Sequence, residues 1–219
     1  MTLKIGAIEK FSTIDYPNKI ACIIFFKGCN FNCGFCYNKQ LVLKELYEKE
    51  LDIQEIYYFL DNRKGLIDAV VLSGGEPTIY GQELIDFIKE IKAKGYLVKL
   101  DTNGSNPEIL KKVIAERLVD YIAMDLKDSF DNYAKYTKVP IENIKKSLEL
   151  LKQSLIPCEL RVTTHPELTF DSFNKMLEST KGQLVFVQDF VNKNTIKKYN
   201  LPTTIFRELS KEDKRYTLR

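Results

Sequence analysis

Apolar and polar positions follow two rhythms along the chain, and the changes between them mark the elements. Ile20 to Phe26 is a strand-sized, unbroken apolar run rich in β-branched and aromatic residues, which predicts a buried strand. Comparable runs lie at Ala69–Leu72, Leu97–Asp101, Tyr121–Met124, Pro157–Thr164 and Leu184–Val187, the last of these expected to be the final strand. Between them, apolar residues return at helical spacing. Ile53, Ile56, Tyr57 and Leu60 follow the capping-box start Asp52-x-x-Glu55. Leu84, Phe87, Ile88 and Ile91 share a face of a helix from about Gln82 to Lys94, stopped by Gly95. Leu110, Val113 and Ile114 follow the cap and first turn Asn106-Pro107. Ile144, Leu148 and Leu151 mark a further helix, and Phe173, Met176 and Leu177 another, capped by Asp171. Lys39 to Glu50 is helix-compatible but weakly patterned. Residues 3 to 19 combine a strand-like piece with the turn Asp15-Tyr16-Pro17-Asn18 and are expected to pack beside the first core strand.

Strands alternating with helices of this length imply right-handed βαβ units and a parallel sheet. Six such steps are too few for a closed eight-fold barrel. The expected fold class is therefore α/β, an open partial (β/α)6 TIM-like barrel with parallel strands. A chain of 219 residues with 44% hydrophobic content suits one such domain, over residues 1–190. A tail, 191–219, is set apart by eight Lys or Arg against three Asp or Glu, and is expected to pack on that domain or extend from it. The net charge of +3 gives no argument for nucleic acid or membrane, and no apolar run reaches membrane-spanning length. Residues Met1 to Gly6 lack a signal-peptide layout, so a reducing cytoplasmic setting with free cysteines is expected.

The densest chemistry follows the first core strand directly. Three of the five cysteines are spaced Cys29-x-x-x-Cys33-x-x-Cys36, with Gly28 and Gly34 supplying freedom for a tight wrap. A structural zinc site would need a fourth ligand from Cys22, Cys158 or His165, none of which has neighbouring ligand spacing. A disulfide would leave an odd thiol. An iron–sulfur cluster normally takes four cysteines, so three would leave one iron open to an outside ligand. Further polar clusters recur at strand ends: Ser73 to Pro77, Asp101 to Gly104, and Asp125 to Lys127, with Arg161 inside the fifth strand. Each alone reads as turn chemistry. Together they fall at the carboxyl ends of the strands, where parallel α/β folds bind ligands. Cys22 and Cys158 are expected to be inert buried thiols, and His165 a loop residue near the site.

The motif Cys29-x-x-x-Cys33-x-Phe35-Cys36 resembles that of the radical S-adenosylmethionine superfamily. The stretches Phe11 to Pro17, Gly28 to Phe31, Ser73 to Pro77, Leu100 to Gly104 and Met124 to Lys127 narrow the likeness to the activating enzymes of glycyl-radical enzymes. Among these it most resembles the activating proteins of anaerobic ribonucleoside-triphosphate reductase, with pyruvate formate-lyase activating enzymes near. The resemblance covers about residues 5 to 190. It implies a 4Fe–4S cluster on Cys29, Cys33 and Cys36, with S-adenosylmethionine chelating the open iron.

The same resemblance places Gly74 and Gly75 close to the methionine part and Glu76 toward its ammonium. Asp101, Thr102 and Asn103 suit ribose hydroxyls. Lys127 and Arg161 suit the ligand carboxylate, with Asp125 holding Lys127 or touching ribose. The backbone of Phe35 to Tyr37 suits adenine. A flavodoxin- or ferredoxin-type donor would then drive reductive cleavage to a 5′-deoxyadenosyl radical, which takes hydrogen from a glycine Cα of the partner. Tyr37 departs from the pattern, since many activases have His there, as does Asn18, where Gly often follows the proline. Two rival readings are a radical enzyme acting on a small molecule, similar to carboxy-deazaguanine synthase, and a zinc-stabilised interaction module. The first usually carries a Gln-Gly-Glu-Gly stretch where this chain has Thr13 to Pro17. The basic tail reads equally as a docking element for the partner by charge complementarity and as a solvated terminus with no role.

Overall fold

The computed structural model describes residues 2–199 and 209–219. Its strands form one sheet in sequence order: β1 (Ile5–Ser12), β2 (Ala21–Phe26), β3 (Ala69–Gly74), β4 (Leu97–Thr102), β5 (Tyr121–Leu126), β6 (Cys158–Thr164), β7 (Val185–Asp189) and β8 (Thr217–Leu218). β1 runs antiparallel to β2, and every later pairing is parallel. The six parallel strands β2 to β7 are those expected from the apolar runs. The connecting helices are α1 (Lys39–Val42), α2 (Ile53–Asp61), α3 (Gln82–Ala93), α4 (Pro107–Ala115), α5 (Ile141–Lys152) and α6 (Phe170–Ser179).

Both faces of β2 and β3 are buried, which explains why these strands read as continuous apolar runs. Cys22, Ile24 and Phe26 with Val70, Leu72, Val98 and Leu100 belong to the large core that also takes Leu84, Phe87, Ile88 and Ile91 of α3. The alternate residues Ala21, Ile23, Ala69 and Val71 form a second, smaller cluster with Tyr16, flanked by Phe25, Leu97 and Tyr121. Along β4 to β6 this second face changes character. Lys99, Asp101, Asp125, Glu159 and Arg161 share it by the two-residue strand period. The pairings Phe26↔Gly74, Thr102↔Met124, Asp125↔Arg161 and Thr164↔Asp189 bring the carboxyl ends of successive strands to one rim.

Three local expectations are corrected. The cap of α6 is Thr169, whose side chain accepts from the Ser172 N–H, while Asp171 sits in the first turn and pairs with Lys175 at 2.8 Å. The weak stretch 39–50 splits into the one-turn α1 and a single 3-10 turn, Lys44–Leu46, in keeping with its lack of a sustained apolar stripe. The strand at 185–189 is not the last, because β8 adds to its free edge.

Two residues carry no period, and β8 is held by its neighbour instead. The Arg219 N–H donates to the Val187 carbonyl at 2.8 Å. Its guanidinium donates to both Glu159 oxygens at 3.2 Å and stacks 3.5 Å from the Phe186 ring centre. Of the tail, residues 200–208 lie outside the described residues. Three of its cations are already tied within the chain: Lys197 to Glu167, Arg215 to Asp213, and Arg219 to Glu159. Among the described residues no helix is long and apolar enough to cross a membrane.

Candidate active site

The chain leaves β2 through Lys27 and Gly28 into the cysteine loop. Gly28 has φ +80°, and its N–H donates to the Leu41 carbonyl at 2.7 Å. The loop is pinned on its far side by the Asn32 N–H donating to the Tyr136 carbonyl at 2.7 Å. Under it runs the end of β3. The Gly75 N–H donates to the Phe26 carbonyl and the Glu76 N–H to the Gly28 carbonyl, both at 2.8 Å. A Cβ on Gly75 would lie 1.9 Å from the Gly28 oxygen, and one on Gly74, at φ +113°, 2.4 Å from the Phe26 nitrogen. These glycines are therefore demanded first by the chain's own backbone passing over them.

All fourteen residues expected at the site line one cavity of about 370 Å³: Cys29, Cys33, Phe35, Cys36, Tyr37, Gly74, Gly75, Glu76, Asp101, Thr102, Asn103, Asp125, Lys127 and Arg161. Asp15, Phe31 and Ser73, quoted in the motifs without a role at the site, also line it, together with Phe25, Asn38, Val42, Thr163 and Gln188.

Glu76 is fully buried and acts as an acceptor hub. Its Oε1 takes the Thr78 N–H (3.1 Å), the Thr78 hydroxyl (2.6 Å) and the Thr102 hydroxyl (2.7 Å), and its Oε2 takes the Asn103 N–H at 2.6 Å. Burial raises its carboxyl above the ordinary range, and these hydrogen bonds oppose the rise. The hub ties the ends of β3 and β4 together and leaves Oε2 with acceptor capacity. Asn103 reaches back over the loop, donating to Asn30 Oδ1 at 3.0 Å and standing 3.9 Å from Cys29 Sγ.

A chain of alternating charges runs across the cavity wall. Arg161 donates through Nε to Asp125 at 2.7 Å and through a terminal nitrogen to Asp101 at 3.0 Å. Lys127 Nζ donates to the other Asp125 oxygen at 3.1 Å. Burial alone would raise the Asp125 carboxyl, but Arg161 and Lys127 outweigh it and hold the group well below the usual carboxylate range. Burial would likewise lower the Lys127 ammonium, yet Asp125 beside it raises it. Arg161 is bracketed by two carboxylates, whereas Lys127 makes one side-chain ion pair and keeps donors for something else.

His165 was expected to be a loop residue, and the structure buries it under the cysteine loop. Its ring stacks on Phe35, centroids 3.8 Å apart and planes 7° from parallel. Tyr136 meets both rings edge-on, at 5.6 and 5.7 Å. Its Nε2 is 2.7 Å from the Lys127 carbonyl, which can only accept, so Nε2 carries the proton and buried Nδ1 is left bare. Burial pushes its pKa down to about 4, keeping it neutral at pH 7. Its position after a strand was the one sequence signal that it lay near the site. Tyr133, Tyr136 and Glu167, which frame this packing, carried none.

The residues suit a three-thiolate group. All five cysteines are free. Burial pushes the Cys29 and Cys33 thiols up to about 12 and raises Cys36 as well, and a bound cation would favour their thiolates. Cys22 is buried within β2, and Cys158 begins β6, at the opposite end of the strands from the cavity. The protonated nitrogen of His165 is taken by a carbonyl. Among the described residues no three His, Cys, Asp or Glu converge on a single metal-ion position. Three thiols around one cavity, without a fourth ligand, fit a multi-iron cluster with an open corner rather than a closed zinc site.

Comparison with known proteins agrees with that chemistry. The model of the radical SAM superfamily matches residues 23–180. A Methanocaldococcus jannaschii protein named as a glycyl-radical enzyme activating enzyme is 34% identical, over 99% of this chain and 94% of its own length. The pyruvate formate-lyase-activating enzyme of Clostridium pasteurianum is 32% identical over 59% of this chain and 54% of its own. In fold, the chain resembles a radical SAM methyltransferase from Sphaerobacter thermophilus, with TM-score 0.63 and 12% identity over 99% of this chain and 76% of that one. The chain therefore belongs to the radical SAM superfamily, among its glycyl-radical enzyme activating enzymes, a family that works with a 4Fe–4S cluster and S-adenosylmethionine.

Proposed function

We propose that Cys29, Cys33 and Cys36 hold the cluster and that the remaining cavity residues hold S-adenosylmethionine. The substrate in this reading is a glycine in a partner enzyme, with anaerobic ribonucleoside-triphosphate reductase the first candidate and pyruvate formate-lyase the second. The observation that carries the reading is the single cavity shared by three unpaired thiols, the Glu76 hub and the Asp101–Arg161–Asp125–Lys127 chain. Bound there, cluster and cofactor supply one-electron reductive cleavage and a radical able to abstract hydrogen.

The chain's own residues orient and enclose. Lys127 supplies donors for a carboxylate, Glu76 Oε2 an acceptor for an ammonium, and Asp101 and Asn103 groups for ribose hydroxyls. The backbone of Phe35 to Tyr37 would flank adenine, and the His165 stack fixes the Phe35 ring beside it. Tyr37 is half exposed on the cavity wall, and Ile14, next to the cavity residue Asp15, is 86% exposed. Such an apolar rim suits a peptide loop better than a small solute. The electron comes from a flavodoxin- or ferredoxin-type donor, in a cytoplasmic setting. Among the described residues, the exposed tail lysines Lys193, Lys198, Lys211 and Lys214 are available to a partner's acidic surface.

Anaerobic reconstitution with dithionite and S-adenosylmethionine, adding candidate glycyl-radical enzymes one at a time, tests this. A doublet radical signal in the reductase supports the reading. 5′-Deoxyadenosine with no radical in any partner would move it to a small-molecule substrate, and zinc without iron or sulfide would end it.

A further inference from the structure

Residues 194–199 lie across the loop that carries the three cysteines. The Ile196 N–H donates to the Cys36 carbonyl at 3.1 Å, and the Lys197 N–H to the Gly34 carbonyl at 2.8 Å. The Asn194 amide reaches Gln40 Oε1 at 3.2 Å. Glu167 anchors the segment, accepting from Lys197 Nζ at 3.0 Å and from the Tyr199 hydroxyl at 2.8 Å. The Tyr199 ring meets Phe190 edge-on at 5.7 Å. Contact with the loop is tight at one position. A Cβ on Gly34 would lie 2.5 Å from Lys197 Cδ and 2.8 Å from Tyr199 Oη. Gly34 is not in the left-handed region, so a side chain there would strain this cover before its own backbone, and the ends of Lys197 and Tyr199 would have to move.

We infer that residues 194–199 are a clasp that fixes the spacing of Cys33 and Cys36 and shields the cluster they hold, with Gly34, Glu167 and Tyr199 as its positioning residues. The inference rests on the cluster reading above. The two bonded carbonyls flank Phe35. Pairing them restrains the loop backbone between two ligands and keeps water from taking their place. A cluster held away from water is also harder to reduce, because its reduced state carries more charge. An opened clasp should therefore loosen the iron and make reduction easier.

The full chain, reconstituted anaerobically, is compared as wild type, Gly34→Ala and Tyr199→Phe, neither of which changes a charge. Three quantities are read: amide exchange at 194–199, the rate of iron transfer to a chelator, and the midpoint potential of the cluster. Both variants are expected to lose amide protection, release iron several-fold faster and shift the potential positive. A core variant in α4, Val113→Ala, should lower the melting temperature without moving the potential. Lost protection with unchanged iron release and potential would overturn the clasp, and so would protection unchanged in both variants. A wild-type chain that takes up no iron would overturn the cluster reading itself, and the clasp with it.

Discussion

Two ion networks share the second face of the sheet, one strand step apart, and they are built for different purposes. In the upper one, Asp101, Arg161, Asp125 and Lys127 line the cavity, and the Lys127 and Asp125 side chains keep 18% and 30% of their exposure. The lower one is buried at its centre, with Arg219 at its edge reaching solvent. Lys99 (3% exposed) donates to the Asp15 carbonyl at 2.6 Å and stands 3.4 Å from Asp101 and 3.9 Å from Glu159. Glu159 (0%) accepts from Arg219 and from the Tyr121 hydroxyl. Residue types are the same in both. A network buried around Lys99 and Glu159 fixes where strands and loops sit, whereas a network with spare donors facing a cavity awaits a ligand.

The largest effect should come from the cavity's thiols. Cys33→Ala is expected to abolish stable iron binding and all S-adenosylmethionine cleavage, read as iron content and 5′-deoxyadenosine yield. Full iron occupancy in this variant would remove the site from the cluster. The buried network comes next. Lys99→Met should cost about 3 kcal/mol of stability, because it strips a buried cation from two carboxylates and a carbonyl. Denaturant unfolding checks this, and Lys127→Met should destabilise less. Equal losses would erase the distinction between the networks.

The third prediction concerns pH, to which the cavity end should respond through His165. The folded state holds His165 neutral down to about pH 4. The unfolded chain takes up that proton near pH 6.5. Stability from this residue is thus intact at pH 7 and drains as pH falls through 6.5 toward 4. The loss amounts to about 2 kcal/mol between pH 7 and pH 5. His165→Gln should flatten that slope in unfolding measurements at the two pH values; an unchanged slope would place the titration elsewhere. The smallest effect is that of the spare donor. Lys127→Met should weaken S-adenosylmethionine binding about tenfold, roughly 1.4 kcal/mol, by equilibrium dialysis. Unaltered affinity would assign Lys127 to Asp125 alone.

Much of this was legible in the chain because the parallel sheet writes itself locally. Apolar runs such as Ile20 to Phe26 and the period of Leu84, Phe87, Ile88 and Ile91 reported strands and helices directly. The polar clusters at strand ends became one rim once the strands were taken as parallel. Where contacts are distant in sequence, the chain was silent. Nothing near His165 announced a stack on Phe35, 130 residues earlier. Asp171 looked as good a cap as Thr169, and only the backbone geometry chose between them. β8 has two residues and no period, so its place on β7 follows from Arg219 finding Glu159.

What the sequence by itself determined is the order of elements and the chemistry offered at each strand end, since both depend on spacing within a few residues. What only the tertiary structure decided is which charges are spent and which are spare. Arg161 and Lys127 look alike in the chain, yet one is bracketed by two aspartates and the other faces the cavity. The same holds for Gly34, where an added Cβ would meet the side chains of residues 197 and 199. Burial and pairing are properties of neighbours in space, and the chain brings those neighbours together only when it folds.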